Sequence, residues 1–214
     1  MNKSLLDKFF KDNTTVKSDK VASAPAMTHF EIRMEKHPDA NTRLKERMGQ
    51  AALQNQPERR AKVDAEKSEI ESATDGGQII RFMRRNIDPV NLHILVLKAM
   101  DFENEIVPEI VRMLKTSLND NFIEMAVRVL ARCETNITED LIRCYDNIRN
   151  PYAQGMALVA LGFRANEKYI PWFIEKYNEL KKLYPKDSHC EGAYYALVEI
   201  ENRFYPSVGF NKKT

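Results

Sequence analysis

Seven glycines and nine prolines are spread over 214 residues. That leaves little raw material for β-hairpins or for Gly-rich phosphate loops. Cysteine is scarcer still. Cys133, Cys144 and Cys190 make an odd set with no CxxC spacing, which argues against a disulfide framework or a zinc site and for a reducing compartment. Charge of one sign is also lacking. Thirty-three Lys and Arg against 31 Asp and Glu give a net charge of +2, so no general electrostatic pull toward nucleic acid, membrane or an acidic ligand is expected. No apolar run approaches the length of a membrane span, and the best short one, Ile79 to Met83, is broken by Arg81. The opening MNKSLLDKFFKDN has no uninterrupted apolar core and no small-residue cleavage site, so a cytoplasmic location is expected. No GxSxG, HExxH or Walker loop occurs, and His29, His37, His93 and His189 have no partner spacing. No catalytic residue, cofactor or metal ligand is therefore assigned.

What is present changes character at Gly76-Gly77. Residues 1–76 read as a charged, partly disordered extension. Within it, Leu5, Leu6, Phe9 and Phe10 fall on one face of a short amphipathic helix at 4–11, with Ser4 as its cap. Residues 13 to 29 read as linker. Residues 40 to 72 favour helix but are divided by Pro57. A sharper reading makes this stretch a helical cap on the first repeat, using Leu44, Met48, Ala51 and Ala52. Residues 77–205 form the main domain, and 206–214 a tail.

In that domain apolar residues recur at helical spacing and the pattern itself repeats. Ile79-Ile80-Arg81-Phe82-Met83 returns 31 residues later as Ile110-Val111-Arg112-Met113-Leu114, and 31 after that as Leu141-Ile142-Arg143-Cys144-Tyr145. A fourth copy starts at Phe173, 32 further on, with Glu175 in place of the Arg. Asp88, Asn119 and Asn150 keep the same step at the turns, where a short polar side chain can cap a helix. The second helices align as well: Met125 to Leu130 matches Met156 to Leu161 at 31, and Ala193 to Leu197 follows at 36. Four helix pairs result, at 78–103, 106–134, 137–165 and 169–204. A fixed period of this size marks a stacked array in which neighbours share a core. Small residues in the second helices (Gly155, Ala157, Gly192, Ala193, Ala196) suit close helix approach. The expectation is an all-α chain, a short α-solenoid of about four hairpins.

The pattern resembles the HEAT-repeat family, and more loosely its armadillo relatives. The best match is Ile106-Val107-Pro108-Glu109-Ile110-Val111-Arg112-Met113-Leu114, then Asn119-Asp120, then Ala126-Val127-Arg128-Val129-Leu130. Pro171 repeats Pro108 after 63 residues. The second-helix Arg appears only as Arg128, with Lys98, Val159 and Tyr195 in the other copies, so the ladder that often links HEAT units is incomplete. The resemblance covers residues 78 to 204 and implies a scaffold or adaptor that holds a protein partner, without catalysis.

Arg81, Arg112 and Arg143 stand in a row on the first helices, where a phosphate backbone or acidic peptide could lie against them. Solvated charges alternating with Glu109 and Asp140 are the plainer reading. Trp172, with Phe173, Tyr177, Tyr194 and Tyr195, is either a recognition surface or the core that closes the last unit. The Leu5, Leu6, Phe9, Phe10 helix is either an anchor for a partner's groove or a cover for the array. The alternative function is nucleic-acid binding, in the manner of the HEAT-like alkylpurine DNA glycosylases. It rests on Trp172, Asp140 and Arg143 alone.

Overall fold

A computed structural model describes residues 23–38, 47–49 and 51–205. The expected helix at 4–11, Leu44 and the tail at 206–214 lie outside the described residues. Within them every regular element is a helix. We number these α1 (Ala24–Lys36), α2 (Pro57–Glu71), α3 (Gly76–Met83), α4 (Leu92–Met100), α5 (Glu103–Leu114), α6 (Asp120–Arg132), α7 (Thr138–Cys144), α8 (Pro151–Arg164), α9 (Ile170–Leu183) and α10 (Glu191–Phe204). None is long and apolar enough to cross a membrane.

Local chemistry sets the helix starts. Asp75 accepts from the Gln78 amide at 2.8 Å, Asn119 from Phe122 at 2.7 Å and Asn150 from Tyr152 at 3.0 Å. Each satisfies an amide that the first helical turn cannot. Pro57 and Pro151 open α2 and α8, where a missing N–H costs nothing. Two of the caps also reach sideways. Asn119 Nδ2 donates to the Arg84 carbonyl and Asn150 Nδ2 to that of Ser117, so each ties its own helix to the turn of the pair before it.

Packing follows the order of the chain. Helix α3 packs on α4, α5 on α6 and α9 on α10, while α7 lies against α8. Between pairs, α4 touches α6, α6 touches α8 and α8 touches α10; α3 touches α5, and α5 touches α7. The equivalent positions Ile79, Ile110, Leu141 and Phe173 are all wholly buried in one continuous core. The closest approach joins α8 and α10. A methyl group placed on Gly192 would lie 1.9 Å from the Gly155 carbonyl oxygen, and one on Gly162 would lie 2.5 Å from the Ala196 Cα. Only glycine lets these backbones touch.

The N-terminal region departs from its sequence reading in two ways. Helix α2 does cover the first pair by packing on α4, but through Val63 and Ile70. Met48, Ala51 and Ala52 are exposed. Its polar side grips the next turn: Arg59 holds Asp88 through two bonds at 3.1 and 3.2 Å, and Asn91 donates to the Val63 carbonyl at 2.9 Å. More of a departure is α1. The last six residues of the supposed linker, 24–29, together with the residues after them, are a helix of 13 residues packed against α6, α8 and α10. Ser23 caps it through the Ala26 amide, and Pro25, Thr28, His29 and Ile32 are buried.

Candidate interaction site

The residues singled out from sequence sit on the opposite helices from α1. Arg81, Arg112 and Arg143 are exposed on α3, α5 and α7. Arg112 is bound to Glu109 at 2.7 and 2.5 Å, and Arg143 to Asp140 at 3.3 Å, each one helical turn away on its own helix. Trp172 is half-buried and packs edge-on against Tyr145 and Phe173, with centroids 5.2 Å away in both cases. Asp140 and Arg143 therefore satisfy each other, and Trp172 contributes to the core of the last pair. Leu5, Leu6, Phe9 and Phe10 lie outside the described residues. The thiols do not gather. Cys133 and Cys144 each donate to a carbonyl three residues earlier. Burial pushes the Cys133 thiol up to about 11 and outweighs the pull of Arg164.

The structure instead concentrates polar chemistry where α1 crosses the second helices. Arg128, the one Arg in the HEAT-like position, is 5% exposed. It reaches across from α6, donating to Glu35 at 2.7 Å and to Glu31, both on α1. Glu199 of α10, 4% exposed, is met from α1 by Arg33 Nη1 at 2.7 Å and by His29 Nε2 at 2.8 Å, both on Oε1. Ser23 adds a bond to Glu191. The His29 ring stacks on Phe163 and Tyr195, with centroids at 5.5 and 4.8 Å. A histidine sandwiched by aromatics and anchored on a carboxylate fixes both the register and the rotation of α1.

These partners span 93 to 170 residues of sequence, so no local pattern reports them. Burial by itself would raise the Glu199 carboxyl. The bonds from His29 and Arg33 outweigh it and hold the group below the usual carboxylate range. Glu35 behaves alike, with His93 and Arg128 overcoming its desolvation. Both acids are thus ionised parts of a charged seam, as buried carboxylates with good donors should be.

At the far end of the seam the balance tips to positive. Lys36, Arg132 and Arg164 are in the last turns of α1, α6 and α8, and Arg203 is in that of α10. Lys36 Nζ donates to the Ala131 carbonyl at 3.0 Å and lies 5.6 Å from the Phe163 ring centre. Arg164 reaches the Glu134 and Thr135 carbonyls, and Arg203 those of Gly162 and Ala165. Burial, then the charges of Arg164, Arg132 and Arg203, hold the Lys36 ammonium below its usual range. Sequence reasoning passed over this group, although one signal was there: a basic residue closes each of α6, α8 and α10. Set against models of known protein families, curated proteins and solved structures, the chain matches none.

Proposed function

We propose that the chain is a non-catalytic scaffold, a short α-solenoid of four HEAT-like hairpins whose second helices form a face that holds helical segments of protein. The observation that carries this reading is α1 itself. A helix remote in sequence is seated across α6, α8 and α10 by side-chain contacts, through buried Arg128 and Glu199 and around two buried apolar residues, Pro25 and Ile32. The solenoid part of the reading is supported by the separations of the polar contacts between pairs. Glu103 accepts from Thr135 at a distance of 32 residues, Lys176 donates to Asp146 at 30 and Tyr152 to Glu124 at 28. Each is close to the repeat step, as stacking in register requires.

In this reading α1 occupies the face in place of a partner helix of similar chemistry: acidic at two positions one turn apart, basic between them, aromatic just ahead of them, and apolar once per two turns. The test is affinity capture from native lysate, with and without nuclease, comparing the full chain with its Ile32→Asp variant. The substitution places a charge at a buried position of α1 and leaves the face unaltered, so α1 should come away. Expected is a stoichiometric protein partner that survives nuclease and is enriched by the variant. Capture of nucleic acid alone, or an identical set from both proteins, would overturn the reading.

A further inference from the structure

We propose that Lys36, Arg132, Arg164 and Arg203 form a binding site for a phosphate-class oxyanion, either free phosphate or the phosphate of a small monoester. The site lies at the end of the α1 seam and, through Lys36, is complete when α1 is docked.

Three observations carry it. The first is convergence. Lys36 Nζ is bonded beside Arg132 and lies over the ring of Phe163, next to Arg164. Arg203 donates at 2.5 Å to the carbonyl that follows Arg164. Four cations on four helices are thus drawn to one place. The second is the missing counter-ion. Among the described residues none of the four is paired with a carboxylate; Lys36, Arg164 and Arg203 donate to carbonyl oxygens. The acids that act on the group are engaged elsewhere. Glu35 is held by Arg128, Glu199 by His29 and Arg33, and Glu103 by Thr135 and the Glu134 amide. The third is an orphan. Arg132 Nη1 is buried and has no hydrogen-bond partner, and a buried guanidinium nitrogen left without an acceptor is costly.

The electrostatic sum selects the ligand. A helix C-terminus carries roughly half a negative charge. Four such ends therefore offset about two of the four positive charges, and the Glu103 carboxylate, which is bonded only to neutral donors and acts on Arg164, offsets about one more, so that about one stays unmatched. An oxyanion restores the balance, and its tetrahedral oxygens can accept from donors that converge from several sides. A carboxylate would present acceptors in one plane only.

The test is titration of the full chain with sodium phosphate at constant ionic strength, and in parallel with adenosine monophosphate, read by calorimetry. Arg132→Gln removes the orphan donor, Lys36→Gln removes the exposed cation, and Arg112→Gln is a remote control. Saturable one-to-one binding is expected, weakened on the order of tenfold by each of the first two changes and untouched by the third. Thermal melts in chloride show that the variants remain folded, and Arg132→Lys should regain part of the affinity. If the monophosphate binds more tightly than phosphate, the ligand is a monoester; if less tightly, the free ion. No binding of either ligand, or binding that Arg132→Gln and Lys36→Gln leave unchanged, would refute the site.

Discussion

Replacing Gly192 by alanine adds one methyl group where two helices touch backbone to backbone. The new carbon would stand 1.9 Å from the Gly155 carbonyl oxygen. No rotamer relieves this, because neither side of the contact is a side chain. Restoring even a 3.0 Å contact parts α8 from α10 by about 1.1 Å, and a gap of that order forfeits roughly half of the dispersion energy across the seam. Ala196 meets Gly162 in that seam, and Met156, Ala157, Ala193 and Leu197 on the same two helices are all buried. Overpacking a rigid core costs about 1–3 kcal/mol, and the backbone clash puts this case at or above the top of that range. Alanine returns at most about 1 kcal/mol of helix propensity. The net loss is about 3 kcal/mol, which for a domain of this size lowers Tm by about 6–12 °C. Gly49 is the built-in control, since nothing lies within 4 Å of the equivalent methyl position. Gly49→Ala should leave Tm unchanged or raise it slightly. Differential scanning calorimetry of both variants decides the matter. If Gly192→Ala melts with Gly49→Ala, the close approach of α8 and α10 is not as described.

Two further outcomes are expected. Glu199 and Glu35 titrate below their ordinary range when α1 is docked, so their contribution is complete above the unfolded value of about 4.3 and is lost as pH falls through the lower folded values. Amide NMR should then show α1 releasing below about pH 4 while the core of α8 and α10 remains folded; simultaneous loss of both would count against the charged seam. Thiol labelling at neutral pH should modify Cys190, which is half-buried, well before Cys133 and Cys144, which are buried. Burial raises all three thiols and takes Cys133 to about 11, so equal rates would contradict the packing around α6 and α7.

The helices of the main domain were legible because their information is local and periodic. One apolar residue every 31 positions marks the first helices, and Ile79, Ile110 and Leu141 are each wholly buried. Asn119 and Asn150 cap the helices that their spacing suggests. Helix α1 was illegible for the converse reason. Its buried apolar anchors are only Pro25 and Ile32, and much of the rest of its attachment is charge meeting charge across more than 90 residues of chain. Read locally, Thr28, His29, Glu31, Arg33 and Glu35 are the composition of a solvated segment. The Arg row is the converse case, and its plainer reading as solvated charge fits what is seen. Arg81, Arg112 and Arg143 share a period, yet period alone does not say whether a side chain has work to do. Two of the three are satisfied by an acid one turn away. Burial separates the two cases: Arg128, which has no periodic equivalents, is the buried arginine that binds across helices.

The great sequence distance between α1 and its seat has a consequence in time. Helix α1 is made early, but the residue that fixes it, Glu199, emerges 170 positions after His29. At a synthesis rate of about 5–20 residues per second, that delay is roughly 10–30 seconds. Meanwhile each helix pair can settle on the one before it, since those contacts span only about one repeat. The nascent chain therefore passes through an interval in which α6 and α8 are made but bare on the side that α1 covers, with α1 still waiting. On the proposed scaffold reading, a partner helix present at the ribosome during that interval would meet no competitor.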